Sequence, residues 1–111
     1  MHELGIALEI VDVVSRRAGA RRVEKITVTV GVLSAVLPDS LRFCFGLATE
    51  GTPAAGAELE IRERPGLARC RACASEFELL RPFGRCGCGE TDLDWLRGEE
   101  LEVSEILLEA V

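Results

Sequence analysis

The side chains with most capacity for chemistry are four thiols in one stretch. Cys70 and Cys73 form a C-x-x-C pair, and Cys86 and Cys88 follow as C-x-C. Four thiolates suit a tetrahedral zinc ion, each at about 2.3 Å. A C-x-x-C turn aims two sulfurs at one point. The second pair has only one intervening residue, so its turn must differ, and Gly84, Gly87 and Gly89 allow the close backbone approach it requires. No histidine lies near, which leaves Cys88 as the expected fourth ligand and Glu90 as the weaker candidate. Two disulfides would require an oxidising compartment. A redox C-x-x-C belongs at a strand-to-helix turn of a βαβ unit, whereas this pair sits in a glycine-rich stretch. Four sulfurs also close the coordination sphere, whereas a catalytic zinc keeps one position open to water. Structural zinc is therefore the expectation. Cys44, between Phe43 and Phe45, is expected to be a small core residue.

The second chemical feature is at the other end. His2 is the sole histidine of the chain, in the run Met1-His2-Glu3. The Met1 α-amine, the His2 imidazole and amide, and the Glu3 amide or carboxylate could together offer a planar, nitrogen-rich set. That geometry suits Ni(II) or Cu(II). A histidine near a terminus is equally an ordinary solvated side chain, and the residues alone leave both readings open. Asp39 could add a carboxylate, but an acid at a helix start is also explained by the helix dipole.

These residues need a frame. The chain has 111 residues, 48% hydrophobic and 29% charged, with a formal net charge of -6. Such a composition is globular, and the acidic balance disfavours a general nucleic-acid binder, which needs a basic face. A basic leader and a bilayer-length apolar run are both missing from the sequence. The expected location is the cytoplasm, with no membrane association.

Residues 3–18 carry a helical stripe of Leu4, Ala7, Leu8, Val11, Val14 and Ala18. Ile6, Ile10 and Val13 widen it, so cover on more than one side is expected. Ile26, Val28, Val30 and Val32 alternate with Lys25, Thr27, Thr29 and Gly31, the pattern of a half-buried strand. Pro38 opens a second helix with Leu41, Cys44, Phe45 and Ala48 on one face and Gly51 beyond its end. A second strand alternates Ala57, Leu59 and Ile61 with Glu58, Glu60 and Arg62 before Pro65. Between Pro65 and Gly98 the apolar period fails, which reads as a loop-rich insert without a core of its own. The tail is extended, with a change of phase between Val103 and Ile106 that suggests a bulge. The expected fold is α+β: a small three-stranded sheet with two helices and an inserted zinc-ribbon-like lobe. The body is residues 1–64 with 100–111, and the lobe is residues 65–99.

On this framework the chain resembles the HypA/HybF family of nickel metallochaperones. The likeness is carried by the opening MHEL, by ITVTVGVLSAVLPDSLRFCF, GTPAAGAELEI and PGLARCRACASEFEL, and by GEELEVSEI at the closing strand. The resemblance implies a nickel site at Met1, His2 and Glu3, and a structural zinc at Cys70, Cys73, Cys86 and Cys88. It implies no catalysis. Ni(II) would be passed on, with a HypB-type GTPase, toward the large-subunit precursor of [NiFe]-hydrogenase; some family members also serve urease. The C-x-C pair departs from the family's usual second C-x-x-C. The competing reading is a zinc-ribbon interaction module without nickel delivery, for which Arg62, Arg64, Arg69 and Arg71 supply a local basic stretch.

Overall fold

A computed structural model describes residues 2–110. The element order is α1 (Glu3–Ala18), β1 (Val23–Gly31), α2 (Pro38–Ala48), β2 (Glu58–Arg64), β3 (Gly66–Cys70), β4 (Glu76–Leu79), β5 (Leu93–Arg97) and β6 (Leu101–Leu108). The strands form two three-stranded sheets, β2-β1-β6 and β4-β3-β5. The α+β class and the inserted lobe follow the sequence expectation.

The chain divides into two compact units. One comprises Met1–Val28, Val36–Arg62 and Glu102–Val111; the other comprises Thr29–Ala35 and Glu63–Leu101. Segment Thr29–Ala35 therefore clusters with the cysteine-bearing unit, not with the body in which the sequence placed it.

The first unit is held by apolar burial. β1 lies in the middle of its sheet, so Ile26 and Val28 are fully buried, and Thr27 on the opposite face is buried as well. The half-buried expectation understated this strand, because a central strand is covered further than an edge one. α1 and α2 pack on each other. α2 begins with Pro38 at its first turn and buries Leu41, Phe45 and Ala48. Gly51, beyond its end, has φ of 73°, in the left-handed region where glycine is favoured.

Two expectations fail on the helices. α1 buries Ala7, Ile10, Val11, Val14 and Ala18, while Leu4, Leu8 and Val13 are about half exposed. The wide apolar girdle is covered on one side only, and the covered side is the narrower, smaller-residue stripe. Cys44 is only partly buried and lines a surface hollow with Glu3, Leu4, Asp39, Ser40 and Phe43.

The second unit contains three short strands where no period was legible. β3 is its centre, paired antiparallel with β4 (Ala68 opposite Phe77) and with β5 (Ala68 opposite Trp95). Its core is small: Leu33, Ala68 and Leu79, with Val32, Phe77 and Leu93 packed against them. Leu33 comes from the segment after β1, so the unit borrows a central side chain from outside residues 65–99. Packing here is tight enough to demand glycine. A Cβ on Gly31 would lie 1.9 Å from the Gly98 carbonyl oxygen, and Gly98 itself has φ of 119°. β6 exposes both Ser104 and Glu105 between half-buried Val103 and Ile106, which is the phase change read in the tail.

Candidate metal centres

The two cysteine turns are built differently. β3 ends at Cys70, and the chain reverses at once: the Ala74 amide donates to the Cys70 carbonyl at 3.0 Å and the Cys70 amide to the Ser75 carbonyl at 2.9 Å. The reversal puts Ala74 at φ of 65°. Within it the Ala72 and Cys73 amides point at the Cys70 sulfur, at 3.3 and 3.4 Å.

The second turn uses glycine. The Gly89 amide donates to the Cys86 carbonyl at 2.8 Å, and the Cys86 amide to the Glu90 carbonyl at 2.9 Å. Gly89 has φ of 99°, and nothing stands within 4 Å of a Cβ built on Gly87. Glu90, the weaker ligand candidate, has another job. Its carboxylate accepts from the Thr91 and Asp92 amides at 3.1 and 3.0 Å, which fixes the exit from the turn.

Together the turns gather the four sulfurs within 4.8 Å of one another. Cys70 Sγ is 3.6 Å from Cys88 Sγ, and Cys73 Sγ is 3.6 Å from Cys86 Sγ. Disulfide sulfurs would lie near 2.05 Å, and all five cysteines are free. Ligands placed about 2.3 Å from a central ion at tetrahedral angles lie about 3.8 Å apart, so the donor set fits such an ion. The one-residue spacing of the second pair does not prevent convergence.

Without a cation, four such thiols cannot share one charge state. The hydrogen bond between the Cys73 thiol and the Ser75 hydroxyl, then the Ser75 amide and the neighbouring cysteines, bring Cys73 down to about 6. At Cys88 the Glu90 amide pulls downward, but Cys70, Cys86 and burial outweigh it and push the thiol up to about 12. A divalent ion at the centre would remove this conflict, since a coordinating thiol is deprotonated outright. Ser75 and the turn amides were missed in the sequence. Their signal is weak, because any residue supplies an amide.

The N-terminal candidates lie on the other unit. His2 is exposed at the N-cap of α1, and its carbonyl accepts from the Ile6 amide at 3.0 Å. The first amides of a helix have no carbonyl partner within it, so the backbone nitrogens next to His2 are not consumed by the helix ladder. The Glu3 side chain is buried, and its carboxylate accepts from the Leu37 amide at 3.1 Å, tying the helix start to the entrance of α2. Met1 lies outside the described residues. Asp39 is exposed in the first turn of α2 and lines the same hollow as Glu3. Among the described residues, the cysteine quartet is the one group of three or more candidate ligands drawn close enough to share an ion.

The family model "HypA: Hydrogenase/urease nickel incorporation, metallochaperone, hypA" matches residues 1–108. Hydrogenase maturation factor HypA of Nostoc sp. strain PCC 7120 is 51% identical over 111 residues, covering 100% of this chain and 98% of the relative. Hydrogenase maturation factor HypA of Geotalea daltonii is 44% identical over 104 residues, covering 93% and 94%. The solution structure of the Ni metallochaperone HypA from Helicobacter pylori has the same fold, with a TM-score of 0.66 at 20% identity and full coverage of both chains. The chain belongs to the HypA family of hydrogenase/urease nickel-incorporation proteins.

Proposed function

We propose that this protein is a nickel metallochaperone that takes Ni(II) at its N-terminal edge and holds Zn(II) permanently in the cysteine quartet. The carrying observation is the segregation of donors. The four sulfurs of the quartet are gathered in one unit, while the single imidazole stands exposed at a helix start in the other. Zinc suits the closed tetrahedron of thiolates and nickel the nitrogen-rich plane, so shape sorts the two ions.

In this reading His2 supplies the imidazole, the His2 and Glu3 backbone amides supply further nitrogens, and the Met1 α-amine completes the set. The Glu3 carboxylate is engaged with Leu37, so its part is to hold the helix start in place. Amide nitrogens coordinate only after losing a proton, and imidazole only when neutral. Nickel uptake therefore releases protons, and affinity falls as pH falls. An exposed site allows release to the next carrier, which we take to be a HypB-type GTPase acting for the [NiFe]-hydrogenase large-subunit precursor in the cytoplasm. The protein performs no catalysis: its zinc has no open position. The unit of Met1–Val28, Val36–Arg62 and Glu102–Val111 is the nickel-binding part, and Thr29–Ala35 with Glu63–Leu101 the zinc lobe.

Calorimetry on zinc-loaded protein tests the site. His2→Ala should lose tight nickel binding, by about 100-fold or more in affinity, and retain one zinc per chain with unchanged circular dichroism. Wild-type nickel affinity in His2→Ala would reject the N-terminal site. One extra residue ahead of Met1 should weaken binding by disturbing the amine.

A further inference from the structure

The quartet pairs each exposed sulfur with a buried one. Cys73 and Cys88 are exposed, whereas Cys70 and Cys86 are only 1% and 6% exposed. The close approaches run between the two turns. Cys73 Sγ lies 3.6 Å from Cys86 Sγ, and Cys88 Sγ lies 3.6 Å from Cys70 Sγ. Each exposed sulfur therefore has a shielded sulfur as its neighbour. Redox-sensing thiols share this arrangement: an accessible sulfur meets the oxidant, and a resolving cysteine waits beside it. The second turn is open, since nothing stands within 4 Å of a Cβ built on Gly87. Cys44 belongs to the other unit.

We propose that the quartet is a site of peroxide modification. Hydrogen peroxide converts it into two disulfides, Cys73–Cys86 and Cys70–Cys88, which take over the closure of the two turns. The inference rests on the zinc part of the proposed function and goes beyond it.

The chemistry balances within each pair. The exposed thiolate attacks one peroxide oxygen, the O–O bond breaks, and a sulfenic acid forms while the departing hydroxide is protonated to water. The buried thiolate then attacks the oxidised sulfur. The S–S bond forms, the S–O bond breaks, and a second hydroxide is protonated to water. Two sulfurs thus give two electrons to one peroxide, with two protons taken from solvent. Disulfide sulfur carries no thiolate charge with which to hold a divalent ion, so oxidation and zinc release coincide. The permanence of the zinc is that of the reduced state.

The pairing decides what happens to the fold. The two bonds close nested loops, with sequence separations of 18 and 13 residues. Both tie the end of β3 to the second turn, as the four-sulfur site does. A disulfide constrains the unfolded chain more when its loop is longer. The oxidised unit therefore stays closed without zinc. Bonds within the turns, Cys70–Cys73 and Cys86–Cys88, would leave the turns unjoined. Thiol exchange with a reductant reverses the change.

The full zinc-loaded chain, free of reductant, would be titrated with hydrogen peroxide while a chromogenic chelator reads released zinc. Complete loss of zinc is expected, with one peroxide consumed per disulfide and Cys44 still open to alkylation. Trypsin cuts after Arg71 and Arg85. The peptides of Cys70, of Cys73 and of Cys86 with Cys88 should then stay joined in one cluster, and fragmentation between Cys86 and Cys88 should assign the two bonds. Emission of Trp95, the sole tryptophan, should remain that of the zinc-loaded chain, and a thiol reductant with zinc should restore the starting protein. The proposal is overturned by a separate Cys86–Cys88 peptide, by the opposite crossing, by bonds between chains, by sulfinic or sulfonic acids in place of disulfides, or by Trp95 emission reaching that of the reduced zinc-free chain. Zinc counted before peroxide is added tests the functional reading alone; the disulfide map decides this inference whatever that count is.

Discussion

The two units stabilise themselves by different means. The first buries Val14, Val23, Ile26, Val28 and Leu41. The second has a core of Leu33, Ala68 and Leu79 and relies on sulfur to close its two turns. So small an apolar cluster does not offset the chain entropy of so many ordered residues. Structural zinc can contribute roughly 10–16 kcal/mol of apparent binding free energy to folding. The comparison teaches that a metal site can stand in for apolar burial; in the proposed function one ion would serve shape while another is passed on.

The contrast breaks most severely when a sulfur is removed. Cys73→Ala should release zinc and unfold the second unit. Trp95 should become water-exposed in its emission, while amide-exchange protection in α1 and β1 persists. Loss of protection in both units together would show that they do not differ in the way described.

The next effect is steric. Gly31→Ala forces a Cβ to 1.9 Å from a backbone carbonyl and should destabilise the second unit by about 3 kcal/mol or more, as overpacking does when the neighbour cannot yield. Gly46→Ala is the control in the first unit. Nothing lies within 4 Å of its Cβ on α2, so helix propensity alone should act, stabilising by up to about 1 kcal/mol. Chemical denaturation with Trp95 emission and helix ellipticity read separately would resolve the two.

The smallest effect is electrostatic and confined to the first unit. Lys25 Nζ stands 2.8 Å from Glu60, and that ammonium, followed by Arg62, holds the Glu60 carboxyl down at about 2. Its folded value is depressed, so the contribution to stability is present above the unfolded carboxylate range, near about 4.3, and is lost as pH falls toward about 2. Lys25→Ala should lower the thermal midpoint slightly at pH 7 and hardly at all near pH 2.

Legibility in the sequence tracked the same division. β1 and α2 were visible because strongly apolar residues alternate, or repeat at helical spacing, between Pro38 and Gly51. β3 was invisible because its buried positions are Gly66, Ala68 and Cys70, which carry no hydrophobic signal, and because Leu33 reaches it from a distant segment. On α1 both stripes were apolar. The choice between Leu4 with Leu8 and Ile10 with Val14 is made by what packs against the helix, which no local pattern records. The quartet was legible from spacing, whereas the Ser75 hydrogen bond and the left-handed Ala74 were not.

X-ray absorption at both metal edges of one sample, loaded with one nickel and one zinc per chain, tests the central claim most directly. The zinc edge should show four sulfurs near about 2.3 Å, and the nickel edge nitrogen and oxygen scatterers alone, with the nickel spectrum changed by His2→Ala and the zinc spectrum unchanged. Sulfur around nickel, or a nickel environment indifferent to His2, would contradict it.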